Sequence, residues 1–219
     1  LKLVDEAKNV QGQAHYHENL GNVNMELKDF EAAKHHFEKA RLFSLTERED
    51  LGKVTQLEGK IKAVESHPDY LESKAQEKTR EIEPLVGKKE QQAALLGKYQ
   101  ELEEIYFKAS RIDEVVETSG KIADLLKEMG DQASLAICHA NLASTLMQHG
   151  MAGKADLLPR AEDEFKKALA AFETQKDEKR KSYILGTLGL LSQHQKNFDQ
   201  ALTYFNQSLE LMKTLGDPM

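Results

Sequence analysis

Histidine side chains are the first residues here that could carry chemistry, because imidazole nitrogens bind metal ions and move protons. His15 and His17 are two residues apart, and His35 and His36 are adjacent. Neither spacing places two ligands on one face of a helix, as a separation of four residues would. The pattern therefore favours solvated helix faces over a metal site.

The single cysteine, Cys138, is followed directly by His139. Neighbouring residues on a helix point in different directions, so the pair predicts a buried or half-buried thiol and not an activated nucleophile. A lone cysteine also excludes an internal disulfide bond and is typical of a reducing, intracellular compartment.

The segment "GMAGKA", from Gly150 to Ala155, has the glycines and lysine of a phosphate-binding loop at the wrong spacing. Such a loop needs four residues between its glycines and Ser or Thr after its lysine. We interpret the segment as an insertion between helices. Neither GxSxG nor HExxH occurs, and Glu101, Glu103 and Glu104 indicate a charged, exposed face. We therefore expect no enzyme activity, no catalytic or metal site, no cofactor and no small-molecule substrate.

The charge balance limits the partners of the chain. Lys plus Arg number 30 and Asp plus Glu number 37, which gives a formal net charge of −7. Gripping the nucleic-acid backbone needs clustered positive charge, so we expect no direct nucleic-acid binding. No apolar run approaches the roughly 20 residues that span a bilayer, and we expect no membrane association.

The elements that must position these side chains are revealed by an internal repeat. A Leu followed by a small residue, then a small residue and an aromatic residue further on, recurs at constant offsets. The copies are Leu20-Gly21 with Ala33, Phe37 and Ala40; Leu188-Gly189 with Ala201, Phe205 and Ser208; Leu142-Ala143 with Ala161, Phe165 and Ala168, shifted by the insertion; and a weaker copy with Leu102, Tyr106, Val115 and Ile122.

This pattern resembles the tetratricopeptide repeat, a helix–turn–helix unit with small residues where its two helices touch. Gly21 and Gly189 would lie in mid-helix, where glycine costs about 1 kcal/mol relative to alanine. Such glycines indicate close approach of a neighbouring helix. We expect Ala33 and Ala201 to face them and Phe37 and Phe205 to fill the gap towards the next unit.

The copies recur about every 40 residues, which predicts an all-α, right-handed superhelix of about five helix pairs. We expect one array over residues 1–219, a fragment of a longer chain, with a degenerate repeat at about 48–86 and an insertion at 150–159. Pro68 and Pro84 would bracket the second helix of the degenerate repeat. Glycine in "MGD" (129–131) and "LGD" (215–217) would end a helix, and Asp would cap the next.

Stacked helix pairs form a concave groove lined by the first helix of each unit, and such grooves hold a peptide segment or a helix of a protein partner. An amide in the groove could hold a partner's backbone, or could instead bond between helices or cap one. Tyr183 and Phe107 could anchor a ligand, but core positions are favoured for them. The predicted groove residues are Asn19, Asn22, Gln100, Glu104, Lys108, Asn141, Ser144, Gln148 and His194.

Three segments in order are similar to the N-terminal repeat region of Tonsoku-like proteins. They are "ELKDFEAAKHHFEKARLF", the Glu- and Lys-rich unit after it, and the return to register through "LEEIYFKASRIDEVVETSGKIADLLKEMGDQASLAICHANLASTL". The resemblance implies a nuclear scaffold that acts in homologous recombination and DNA repair at damaged replication forks. The ankyrin and leucine-rich repeats that bind histones and other partners in that family are not in this sequence.

The period and the "LGD" markers also resemble cytoplasmic peptide-binding adaptors of the Pins and motor-cargo types. Those adaptors carry a regular ladder of Asn and Arg in the groove. Here the equivalent positions hold Asn19, Glu101, Asn141 and Thr187, which is irregular. The sequence thus leaves a nuclear scaffold and a cytoplasmic adaptor as alternatives, beside a solenoid with no groove ligand.

Overall fold

Ten α-helices make up most of residues 2–46 and 51–216, the part of the chain that this computed structural model describes. No strand occurs in this part, which confirms the all-α prediction. Short 3-10 turns precede α5 and α8. The helices are α1 Lys2–Glu26, α2 Phe30–Thr46, α3 Leu51–Glu65, α4 Pro68–Ile82, α5 Gln92–Lys108, α6 Ile112–Met129, α7 Gln132–Met151, α8 Leu158–Gln175, α9 Glu178–His194 and α10 Phe198–Leu215.

Successive helices form hairpins, and we call the odd-numbered helix of each hairpin its first helix. The helices of α1/α2, α7/α8 and α9/α10 pack closely along their length. Small buried side chains where the two helices cross permit this approach. They are Ala14 and Ala40 in α1/α2, Ala136 and Ala168 in α7/α8, and Ser182 and Ser208 in α9/α10. Ser208 Oγ donates to the Ser182 carbonyl at 2.8 Å, and Ser182 Oγ donates to the Ser208 carbonyl at 3.2 Å.

The mid-helix glycines accommodate an aromatic ring of their own hairpin. A Cβ atom on Gly21 would lie 2.5 Å from Phe37 Cε1, and one on Gly189 would lie 2.6 Å from Phe205 Cε1. The ring lies against the glycine, a contact that the repeat pattern does not predict. The predicted contact of Phe37 with the next unit is also present, because Phe37 packs in one cluster with Leu57 of α3 and Lys60 Nζ of α3 lies 5.4 Å from the centroid of its ring.

The third hairpin, α5/α6, is built differently. Leu96 and Ile122 replace the small residues of the helix crossing, and α5 and α6 lie farther apart than the helices of α1/α2, α7/α8 and α9/α10. A cleft of about 410 Å³ opens beside them, with Leu95, Tyr99 and Leu125 among its lining residues. Large side chains at the crossing thus separate the two helices.

The helix ends follow the sequence signals. Pro68 begins α4, and Pro84 lies in the 3-10 turn that follows α4, so the predicted bracket is confirmed. Gly130 ends α6 with a φ of 73°, and Asp131 caps α7 by accepting the Ser134 N–H at 3.0 Å. Gly216 ends α10 in the same left-handed conformation, with a φ of 69°. The Asp of "LGD" lies outside the described residues.

The chain divides into two compact units, Leu1–Arg80 with Lys108–Ser110, and Glu81–Phe107 with Arg111–Met219. The core of the first contains Phe30, Phe37, Leu57, Val64 and Tyr70. In the second, one cluster joins α7, α8 and α9, and a smaller one joins α6 to α7. No helix in residues 2–46 and 51–216 has the length and apolar composition needed to cross a bilayer.

Candidate protein-binding surface

All nine predicted groove residues lie on first helices, and all nine are exposed. The first unit carries Asn19 and Asn22 on α1 and Lys108 at the end of α5. The second unit carries the other six: Gln100 and Glu104 on α5, Asn141, Ser144 and Gln148 on α7, and His194 on α9.

In the first unit, Asn22 is held by an interhelical network. Lys60 on α3 donates from Nζ to Asn22 Oδ1 at 2.9 Å and to Glu18 at 2.8 Å, and Lys53 also pairs with Glu18. Burial alone would raise the pKa of the Glu18 carboxyl, but the hydrogen bonds from the two lysines outweigh burial and lower this pKa. Asn22 therefore bonds between helices, from α1 to α3. This is the second of the two roles considered for an amide in the groove, the first being a bond to a partner's backbone.

Two histidines from different helices of the first hairpin meet. His17 Nδ1 and His36 Nδ1 are 2.9 Å apart, and the His17 ring stacks on Phe43. Burial is the main cause that lowers the pKa of both imidazoles. The charge of His36 comes next for His17, and the charge of His35 comes next for His36. Spacing within one helix does not reveal this pair, because its two histidines lie on different helices. Asn19, one turn from His15, hydrogen-bonds to His15 Nε2 at 3.0 Å.

In the second unit, the first helices expose large apolar side chains. On α9, Tyr183 is 67% exposed and Leu190 is 50% exposed; Ile137 on α7 is 38% exposed. The favoured prediction of core positions for Tyr183 and Phe107 was wrong, since Phe107 is also 42% exposed. Apolar character predicts burial only where a neighbouring helix covers the residue, and none of these faces is covered by the described chain.

The repeat register aligns these side chains across α7 and α9. Ile137 and Tyr183 occupy equivalent positions, as do Ser144 and Leu190, two turns further on. Between them on α9 lies Gly186, where an added Cβ would approach only Ser208 Oγ, at 3.5 Å. We call this surface the α7–α9 face. It consists of Ile137, Asn141, Ser144 and Gln148 on α7, and Tyr183, Gly186, Leu190 and His194 on α9.

A second polar pair lies inside the α7/α8 hairpin, in the register positions of His17 and His36. His139 Nδ1 lies 2.6 Å from Glu164 Oε2, and Lys167 donates to the other carboxylate oxygen at 2.7 Å. Burial acts to raise the pKa of Glu164, and the bonds from Lys167 and His139 reverse the shift and lower it. The arrangement satisfies a buried carboxylate.

The thiol of Cys138 is half-buried against α6, with Sγ 3.7 Å from the Ser119 carbonyl oxygen. Burial, and then the charges of Glu103 and Glu164, raise the pKa of this thiol to about 12. Because the thiolate is the nucleophilic form, Cys138 has no activated character at neutral pH. This agrees with the predicted structural thiol.

The prediction that Glu103 belongs to an exposed charged face is wrong. Glu103 is half-buried on α5 and accepts a hydrogen bond from the Ser119 hydroxyl on α6. Glu103 and Ser119 stand at the register positions of Gly21 and Phe37, so the large side chain has moved to the opposite helix. Burial raises the pKa of the Glu103 carboxyl, and the bond from Ser119 only partly opposes this.

We expect Glu103→Gln to raise the thermal stability of the chain at pH 7. The folded state holds the Glu103 proton more tightly than the unfolded state, whose pKa is near 4.5. Stability from this group is therefore present below pH 4.5 and lost as pH rises through the folded pKa. Glutamine keeps the hydrogen bond without a buried charge. Melting curves at pH 7 and at pH 4 should show the gain shrinking in acid.

Glu101→Gln, at an exposed position on the same helix, is the matched control and should change the melting temperature little. A lower melting temperature of Glu103→Gln at pH 7 would contradict this prediction.

Within the described ranges, no group of three or more His, Cys, Asp or Glu side chains is placed to hold a metal ion. The pair of His17 and His36 provides two nitrogens, and the third ligand that such a site needs is not among its described neighbours.

The comparison with protein families identifies repeats at both ends of the chain. The profile of the tetratricopeptide repeat matches residues 14–40 and 182–212, which lie in α1/α2 and α9/α10. The chain therefore contains tetratricopeptide-type repeats, as predicted. Among curated proteins, no sequence matches the chain significantly.

Solved structures of helical proteins are similar to this chain. The apo form of RapI matches with a TM-score of 0.53 and 17% identity, over 93% of this chain and 72% of RapI. BtubC (BKLC) from P. vanneervenii matches with a TM-score of 0.48 and 18% identity, over 94% and 74%. The Rap conjugation gene regulator of plasmid pLS20, in complex with the Phr* peptide, matches with a TM-score of 0.46 and 13% identity, over 93% of this chain and 54% of the regulator. At 17% identity the RapI match concerns the fold alone, and it supports the helical repeat architecture.

Proposed function

We propose that this chain is a non-catalytic protein-interaction scaffold that holds a segment of a protein partner on the α7–α9 face. The observation that carries the proposal is the exposure of Tyr183 and Leu190, at 67% and 50%, on a first helix of a tetratricopeptide-type hairpin. Soluble proteins bury most large apolar side chains, and grouped exposed ones beside polar residues are typical of binding surfaces.

The chemistry of the α7–α9 face suits a peptide. Tyr183 and Ile137 offer an apolar contact at one end, and rigid aromatic side chains lose little entropy on binding. Asn141 can donate to and accept from a peptide backbone, and the missing side chain at Gly186 leaves space beside it. Gln148 and His194 give the other end of the face a polar character.

The remaining predicted groove residues take a second place in this proposal. Gln100 and Glu104 continue the exposed surface on α5 of the same unit. Asn22 is already bonded to Lys60, and Asn19 to His15, so a partner would compete with those bonds. We propose that all five hairpins belong to one array over residues 1–219 and that the second unit supplies its principal contact.

The proposal also concerns the cell compartment in which the chain acts. The resemblance to Tonsoku-like proteins predicts a nuclear scaffold for homologous recombination, and no matched protein carries that name. The alternative is a cytoplasmic adaptor of the Pins or motor-cargo type. Affinity capture from nuclear and from cytoplasmic extracts distinguishes these two alternatives. The wild-type chain is compared with a variant substituted on the α7–α9 face, and the partners that only the wild type captures identify the compartment.

The proposal is tested by selecting binders from a display library of random peptides on the wild-type chain. We expect Tyr183→Ala to weaken binding of the selected peptides by about tenfold or more, because truncating a buried aromatic contact costs this much at binding hot spots. Gln207→Ala, exposed on α10 and outside the face, is the control. Peptides that bind Tyr183→Ala as tightly as the wild type would refute this site.

A further inference from the structure

Charge is distributed unevenly on the two helices of the α7–α9 face. α7 contains no Asp, Glu, Lys or Arg, and the four charged residues of α9 all lie in its first turn, from Glu178 to Lys181. Over the whole chain, charged residues make up 31% of the sequence. The preceding first helix, α5, exposes Glu101 and Glu104, so this lack of charge is not general to the first helices.

Two of the three basic residues in the first turn of α9 are paired within the chain. Lys181 Nζ lies 3.2 Å from a carboxylate oxygen of Glu173, and Arg180 Nη1 lies 2.5 Å from a carboxylate oxygen of Asp177. The Arg180 guanidinium also lies over the ring of Phe172, 5.8 Å from its centroid. A partner could bind either cation only in competition with these contacts.

Lys179 is the third basic residue of this turn. Its side chain is exposed and has no ion-pair or hydrogen-bond partner among the described residues. Lys179 precedes Tyr183 by four residues, so the two side chains are neighbours on the same side of α9. An unpaired ammonium group therefore borders the ring that the proposed function assigns to an apolar residue of the partner.

The carboxylates at this end of the face are used within the chain. Asp131 and Asp177 cap α7 and α9 by accepting backbone N–H groups, at 3.0 and 2.9 Å. Glu178 lies 3.9 Å from Lys181 Nζ. None of the three lies within ion-pair distance of Lys179.

The positions of Lys179 and Tyr183 stay open when another hairpin packs beside them. The equivalent positions on α7 are Ala133 and Ile137, and both are exposed although the α9/α10 hairpin follows α7. Exposure at these two positions is therefore a property of the face and does not depend on which hairpin comes next.

We propose that the partner segment held by the α7–α9 face carries a carboxylate close to its apolar anchor, and that Lys179 binds this carboxylate. This inference rests on the proposed function and names the chemistry of its partner. Charge complementarity identifies the partner, because Lys179 carries the one unpaired charge on the described side chains of α7 and α9. A basic segment would instead be repelled at this position.

The spacing on α9 sets the spacing in the partner. Lys179 and Tyr183 are separated by four residues, or about 6 Å along the helix axis. An extended peptide advances about 3.3 Å per residue. We therefore expect Asp or Glu about two residues from the aromatic or aliphatic residue that packs on Tyr183.

Selection from a display library of random peptides on the wild-type chain tests the inference. We expect the selected peptides to share an acidic residue at that spacing from an apolar one. Lys179→Glu should weaken their binding by about tenfold, because it places like charges together. Lys213→Glu on α10 is the matched control, since it makes the same change in net charge at an exposed position outside the face. Circular dichroism confirms that the variants are folded.

A charge exchange distinguishes direct contact from a general effect of net charge. A selected peptide whose acidic residue is replaced by Lys should bind the wild-type chain about tenfold more weakly than its parent. The same peptide should regain affinity on Lys179→Glu and should regain none on Lys213→Glu. Added salt should weaken the parent peptide on the wild type, because an exposed ion pair is screened.

The outcomes separate this inference from the proposed function. Peptides that depend on Tyr183 but share no acidic residue would overturn the inference and leave the proposed function in place. Acidic peptides that bind Lys179→Glu as tightly as the wild type would overturn the role of Lys179. Peptides that bind independently of Tyr183 would overturn the proposed site, and the inference with it.

Discussion

Replacing Phe165 by alanine is expected to lower the free energy of unfolding of the hairpins around it by about 3–5 kcal/mol. The side chain is 0% exposed and lies in the cluster that joins α7, α8 and α9. Its removal leaves a cavity between three helices that cannot all move to close it. Chemical denaturation followed by circular dichroism measures the loss.

Phe205→Ala provides the comparison, since Phe205 occupies the same register position and is half-buried. Its loss should be clearly smaller, because burial on one side only leaves less apolar area to lose. Equal losses for the two variants, or unchanged unfolding of Phe165→Ala, would show that the assigned register is wrong.

Gly21→Ala is expected to destabilise the first hairpin by about 1–3 kcal/mol, the usual cost of overpacking a core. Alanine favours helix by about 1 kcal/mol over glycine, but its Cβ would lie 2.5 Å from the ring of Phe37, which is only 2% exposed and cannot turn aside. The clash should outweigh the propensity. Thermal and chemical unfolding measure the net effect.

Gly59→Ala on α3 tests the same substitution where nothing lies within 4 Å of the added Cβ. There the helix propensity should act alone, and the variant should be more stable than the wild type. A stabilising Gly21→Ala would mean that Phe37 has room to move. At the position equivalent to Gly21, the α7/α8 hairpin carries Ala143 opposite Phe165, both 0% exposed, so a hairpin can adopt a spacing that accepts the methyl group.

The repeated residues made most of the fold predictable. Leu, small and aromatic residues at constant offsets identify helices that must approach closely, and the two prolines and the "MGD" glycine mark where helices begin and end. These signals act locally and are strong. The repeat register also places Glu103 at the position of Gly21 and Ser119 at that of Phe37, both inside a hairpin. The general rule that carboxylates are exposed nevertheless predicted an exposed Glu103, which is wrong.

The candidate surface was only partly predictable. All nine groove residues are exposed as a groove requires, but exposure of Tyr183 and Phe107 depends on whether another helix covers them, which a local pattern does not contain. The His17–His36 contact forms across a hairpin, so a spacing rule within one helix could not find it. Equivalence with His139 and Glu164 would have identified the pair.

The separated helices of α5/α6 have a consequence for how the chain unfolds. In an array where each hairpin contacts mainly its neighbours, stability is close to a sum of local contributions. A hairpin with a cleft and a half-buried carboxylate contributes less than the closely packed α7/α8 and α9/α10 hairpins. We therefore expect amide hydrogens of α5 and α6 to exchange with solvent through local openings that leave α7–α10 intact.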